Sequence, residues 1–320
     1  MSLIEKAAQR LEKLKQASGD DADVFESAVV APKAAPVVAA EPPASSQPAV
    51  QSSAVPRTAP IASNPIVSRS VTIDLDRLHQ VGMVTPEYSR SPIAEEFRVI
   101  KRPLLQNATA TGPTAIENGN LIMVTSAMPG EGKSFTAINL AISMAMELDH
   151  TVLLVDADVS RPSVLRHLGL PPERGLMDVL AGDVDDLGEV LLRTNIEKLS
   201  ILPAGMPHQR ATELLASDGM NRLLEQIANR YPDRIVVFDS PPVLVTTEAR
   251  VLATHMGQIV VVVEAERTTQ GTVRQALATI DSCPVKLMVL NKSRRSAPGS
   301  YYGYGYGYGY AAEEQRSEAA

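Results

Sequence analysis

Six short runs that are apolar almost throughout recur between residues 121 and 292. They are "LIMVTS" (121–126), "TVLLVDA" (151–157), "LSILPA" (199–204), "RIVVFDS" (234–240), "QIVVVVEA" (258–265) and "KLMVLNK" (286–292). Helical patterns lie between them, over Ser134–Leu148, Glu213–Asn229 and Gln270–Ile280. A strand that is apolar on both sides cannot show either face to water. Strands of that kind alternating with helices predict an α/β fold: a doubly wound, mostly parallel sheet covered on both faces.

The chain divides by composition. Residues 1–18 predict an amphipathic helix, because Leu3, Ile4, Ala7, Ala8, Leu11 and Leu14 share one face. Such a helix either packs on its own domain or docks on a partner or a membrane surface. Residues 19–70 are rich in Ala, Pro and Ser with no periodicity, and predict a disordered, extended tether. Residues 71–295 have globular composition. Residues 296–320 hold "YYGYGYGYGY", six of the eight tyrosines of the chain, and predict a disordered tail.

With 320 residues and a net charge of -7, the chain can bury a sizeable core but offers no basic field for nucleic acid. Cys283 is the single cysteine, so no intrachain disulfide forms and a reducing cytoplasm fits best. The N-terminus lacks the apolar core of a signal peptide. The strongest apolar run, Ile259–Val263, is far too short to cross a bilayer. The five histidines are scattered without metal-ligand spacing.

"AMPGEGKS", Ala127–Ser134, follows a predicted strand and opens a predicted helix. This is a phosphate-binding P-loop. Its phosphate-facing set is Pro129, Gly130, Glu131, Gly132, Lys133, Ser134 and Phe135. The glycines let successive N–H groups turn toward an anion, and the helix N-terminus adds positive potential. Lys133 reaches the outer phosphates of ATP, and the Ser134 hydroxyl is placed to ligate Mg²⁺. Asp156 and Asp158 end one strand and Asp239 ends another, where doubly wound sheets bind ligands. Asn291, at the end of "MVLNK", either reads a nucleotide base or serves a turn.

Together these motifs resemble the bacterial tyrosine kinases of exopolysaccharide systems, whose P-loop is of the partitioning-ATPase type. The opening helix resembles that of exosortase-associated tyrosine autokinases. The resemblance rests on "AMPGEGKS", "VLLVDADVSRP", "VVFDSPPVL", the tyrosine cluster, and "EEFRVIKR", where Glu95, Arg98 and Lys101 fall on the family's oligomerisation helix. It implies that Lys133, Asp156, Asp158 and Asp239 form the catalytic set. Ser134, Asp156 and Asp239 attend to the metal, and Asp158 orients or deprotonates a tyrosine hydroxyl. It also implies autophosphorylation between subunits at Tyr301, Tyr302, Tyr304, Tyr306, Tyr308 and Tyr310. A ring-like homo-oligomer is expected at the inner face of the plasma membrane, activated by a transmembrane polysaccharide copolymerase. The family's Arg after the second Asp is Ser160 here, followed by Arg161. Glu248 stands where Asp is commoner. A partitioning-type ATPase switch is the alternative, yet its early P-loop lysine is replaced by Met128. An inactive nucleotide-binding scaffold is a further one.

Overall fold

A computed structural model describes residues 69–230 and 233–294. The expected N-terminal helix, the tether up to residue 68 and the tyrosine tail lie outside the described residues. In chain order the elements are β1 (Arg69–Val71), α1 (Leu75–Gln80), α2 (Pro92–Ala108), β2 (Leu121–Ser126), α3 (Lys133–Ala145), β3 (Thr151–Asp156), α4 (Val164–Leu168), α5 (Leu176–Ala181), α6 (Leu187–Val190), β4 (Leu192–Thr194), β5 (Leu199–Leu202), α7 (Ala211–Leu215), α8 (Asp218–Arg230), β6 (Arg234–Asp239), α9 (Thr247–Ala253), β7 (Gln258–Glu264), α10 (Gln270–Thr279) and β8 (Val285–Asn291).

The eight strands form one sheet in the order β1-β4-β5-β3-β6-β2-β7-β8. Every neighbouring pair is parallel except β4–β5. All six apolar runs are strands of this sheet. Alternate residues of one strand enter opposite cores. Leu121 and Met123 pack on one side of β2, while Ile122 and Val124 pack on the other. Helix α3 is buried almost all round, as an apolar helix between sheet and α2 must be.

Three expectations change. Strand β1 begins at Arg69, inside the segment assigned to the tether, because Arg69 and Ser70 pair with Leu192 and Arg193. Strand β4 carries no apolar pattern and was not predicted. The helix expected over Glu213–Asn229 is two helices. The chain breaks at Ala216–Ser217, where the Ser217 hydroxyl donates to Leu214 O (2.7 Å) and accepts from Met220 N, capping the second helix.

Candidate active site

The site forms where β2, β3 and β6 end side by side. Val124 is registered with Asp239, and Asp239 with Asp156. The parallel register therefore delivers the loop after β2 and two carboxylates to one edge of the sheet, beyond the strands' carboxyl ends.

The loop between β2 and α3 turns on two left-handed glycines, Gly130 (φ 89°) and Gly132 (φ 101°). Its outer side is pinned by the protein itself. Asn291 Nδ2 donates to Glu131 O (2.8 Å), and Lys292 Nζ donates to Gly130 O (2.7 Å). The Glu131 carboxylate is buried and folds back, accepting from Met128 N (2.6 Å) and from the Thr268 hydroxyl. A Cβ on Gly132 would lie 2.0 Å from Asn291 Nδ2. These contacts hold the loop's carbonyls from behind.

Lys133 begins α3 and stands among three carboxylates. Its ammonium lies 2.6 Å from Asp158 Oδ2 and 3.7 Å from Asp239 Oδ1, and it donates to Ser134 Oγ at 3.3 Å. The Ser134 hydroxyl in turn accepts from Ser163 Oγ (2.9 Å). Asp156 Oδ2 accepts from the backbone N–H groups of Ser163 and Val164, both at 3.0 Å, and so caps α4.

Burial sets the electrostatics. Asp239 is fully buried, and among the described residues neither of its oxygens has a partner at hydrogen-bond distance, the Lys133 ammonium standing 3.7 Å off; Asp156 Oδ1 has none either. Burial pushes Asp156 up to about 7, aided by the neighbouring Asp239 and opposed by the two capping N–H groups. Burial likewise pushes Asp239 up to about 6, while Lys133 pulls it down. Burial works against the Lys133 charge, but Asp239 and Asp158 outweigh it, and its affinity for the proton rises.

The orphaned carboxylate oxygens and the Ser134 hydroxyl suit a hard cation that takes oxygen ligands. Among the described residues no three His, Cys, Asp or Glu side chains could enclose a metal by themselves.

Other residues named from the sequence stand apart. The Phe135 side chain packs edge-on against Phe97, with centroids 6.4 Å apart, so only its backbone faces the loop. Asn291 Oδ1 accepts from Lys292 N (2.9 Å), so its amide is engaged within the protein on both ends. Glu95 and Arg98 form an ion pair on the exposed side of α2, and Arg98 also reaches Ser89 O (3.2 Å). Lys101 departs from the expectation of a third surface residue. It is 5% exposed, donates to Ser143 O (2.5 Å) and pairs with Glu147 (2.6 Å). Each three-residue step falls about 60° short of a full turn, so the third position rotates off the exposed face. Arg161 is exposed, and its N–H caps the turn onto Asp158 Oδ1 (3.2 Å). Sequence reasoning missed Ser163, Thr268 and Lys292. None carries a motif, and their partners lie 29, 137 and 162 residues away.

Among the described residues no helix is long and apolar enough to cross a membrane.

Residues 119–292 match the family described as an AAA domain. The tyrosine-protein kinase YwqD of Bacillus subtilis is 33% identical over 57% of this chain and 77% of its own length. The succinoglycan biosynthesis transport protein ExoP of Rhizobium meliloti is 32% identical over 72% of this chain and 28% of its own. The kinase domain of the Escherichia coli tyrosine kinase ETK superposes with a TM-score of 0.59 at 27% identity, covering 75% of this chain and 94% of that one. The chain spans about a quarter of the length of several other curated tyrosine-kinase relatives. A P-loop at the end of β2, carboxylates at the ends of β3 and β6, and this set of relatives agree: the chain belongs to the bacterial tyrosine-kinase family, on an AAA-type P-loop domain.

Proposed function

We propose that this protein is an ATP-dependent protein-tyrosine autokinase that phosphorylates the cluster Tyr301–Tyr310 on a neighbouring copy. The observation that carries the reading is the Lys133 ammonium held among Asp156, Asp158 and Asp239 at the mouth of a preformed P-loop. When bound, ATP supplies the phosphoryl group and Mg²⁺ neutralises its charge. Backbone N–H groups of residues 130–134 cradle phosphates, and Lys133 swings from Asp158 onto the outer phosphate oxygens. Ser134, Asp156 and Asp239 would hold or orient the ion. Losing Lys133 leaves Asp158 Oδ2 free to accept the proton of an incoming tyrosine hydroxyl, whose ordinary pKa near 10 makes it a poor nucleophile unaided. The lysine thus restrains the base until nucleotide arrives.

Glycine between tyrosines lets the acceptor segment lie close to another subunit's site. Glu95 and Arg98 are the surface residues proposed to join copies in a ring. Each phosphotyrosine adds about -1.5 to -2 charges, so a phosphorylated tail leaves an acidic ring. The kinship with ExoP supports a role in exopolysaccharide synthesis or export. There the N-terminal helix would tether the cytoplasmic kinase to a membrane-spanning copolymerase that activates it.

The test incubates wild type, Lys133→Met and a truncation after Ser300 with ATP and Mg²⁺, followed by mass spectrometry. Phosphate on Tyr301–Tyr310 in wild type, lost in Lys133→Met, is expected. ATP hydrolysis without phosphotyrosine, even with a copolymerase tail peptide added, overturns the reading in favour of an ATPase switch.

A further inference from the structure

The two edges of the sheet are unequal. Strand β1 is three residues long, whereas β8 is seven and presents a full row of backbone groups on its outer side. Long open edges recruit other strands, and proteins ordinarily shorten, charge or cover them. Strand β8 contains no proline and a single charged residue, Lys286, which is turned onto Asp281 O and Cys283 O.

The face of β8 is also incomplete. Leu287 and Val289 pack into the core. Met288 and Leu290, pointing the other way beside Val261 and Val263, are 62% and 63% exposed. Val261 on β7 is buried in one cluster with Ala276 of α10, whereas this outer row stays open. Two large apolar side chains at alternate positions on an open edge make a surface for a strand with apolar groups at every second residue.

The chain itself carries such a segment. Nine residues after β8, Lys292–Ser300, lead to Tyr301, and Pro298-Gly299 is a turn signature within them. From Tyr302 to Tyr310 tyrosine alternates with glycine. In an extended strand that period of two puts five aromatic rings on one face and no side chain on the other. Only one face then needs a match, and Met288 and Leu290 supply it.

We propose that residues 301–310 fold back and pair with β8 of their own chain as an additional edge strand, their tyrosines lying over Met288 and Leu290. Main-chain hydrogen bonds supply the adhesion and the apolar row sets the register. This occupies the acceptor tyrosines at the sheet edge of their own chain. The pairing does not depend on kinase activity, and its test needs none.

Hydrogen exchange decides it. In full-length Lys133→Met protein, which stays unphosphorylated, the outward amides of β8 and those of 301–310 are expected to exchange about tenfold or more slowly than in the truncation after Ser300 and in free peptide. A variant with all six tail tyrosines changed to serine keeps chain length and is expected to lose this protection. Tenfold dilution is expected to leave it unchanged. Equal exchange in full-length and truncated chains overturns the pairing. Protection that survives the serine changes overturns the role of the aromatic row. Protection lost on dilution assigns the occupant to a second copy and overturns the folding-back.

Discussion

The Lys133 ammonium lies 2.6 Å from Asp158 Oδ2, an ion pair between the last residues of the phosphate loop and the turn after β3. Both groups are nearly buried, and each has a proposed task that the pair prevents. On those proposed roles, the pair keeps Asp158 a weaker base and keeps Lys133 turned from phosphate, so that nucleotide binding and base activation would be one event.

Asp158→Asn should therefore separate them. An asparagine keeps the turn and still leaves Lys133 beside Asp239, but it cannot take a proton. Nucleotide affinity by titration calorimetry is expected to change only a few-fold, whereas the rate of tail phosphorylation falls by about 10²–10⁴. Equal loss of both would show that Asp158 acts only by placing Lys133.

The pH dependence of the ligand-free fold follows from Asp156 and Asp239. Asp156 moves from its ordinary 3.8 to about 7, and Asp239 to about 6. Below about pH 4 folded and unfolded chains both carry these protons. Between there and about 7 the folded protein holds protons that the unfolded chain has lost. Stability from these groups is full below about pH 4 and is lost as pH rises from there to about 7. Asp156→Asn can still accept from Ser163 N and Val164 N, and removes a buried charge. It is expected to raise stability at pH 8 by about 1–2 kcal/mol and to flatten this part of the pH profile, while abolishing Mg²⁺-dependent phosphorylation. Urea unfolding at pH 5 and pH 8 is the measurement.

Gly132→Ala is expected to cost about 2–4 kcal/mol. It forces a side chain into a left-handed φ of 101° and sets a methyl group 2.0 Å from the Asn291 amide. Adding Asn291→Ala should return only part of the loss. The clash is relieved, but the φ strain persists and Glu131 O loses its donor. Denaturant midpoints of the two single variants and the double form a cycle that separates the clash from the strain.

The neighbouring positions of α2 should behave differently. Lys101→Ala removes a buried ammonium from Ser143 O and Glu147, and is expected to lower stability by about 1–3 kcal/mol without altering assembly. Glu95→Ala with Arg98→Ala breaks an exposed pair, so stability should move by less than about 0.5 kcal/mol. Mass measurement in solution should then show smaller assemblies for the double variant only.

The legible parts of the sequence were those where one cause dominates. Strands β2, β3, β5, β6, β7 and β8 could be read because burial on one or both faces makes them apolar. Asp156 and Asp239 could be placed because parallel register brings strand ends together. Strands β1 and β4 read "RSV" and "LRT" and exist only through their partners, β4 for β1, and β1 and β5 for β4. The burial of Lys101 depends on where the end of α3 packs. The break at Ser217 depends on one hydroxyl competing successfully for local backbone groups. Such outcomes are settled between elements, and no window of residues contains them.

The last strand and the phosphate loop are fastened by two consecutive residues, Asn291 at Glu131 O and Lys292 at Gly130 O. Lys292 Nζ also lies 3.3 Å from Glu264 Oε1, so β7, β8 and the loop meet at one residue. Whatever displaces the end of β8 displaces the back of the phosphate cradle with it.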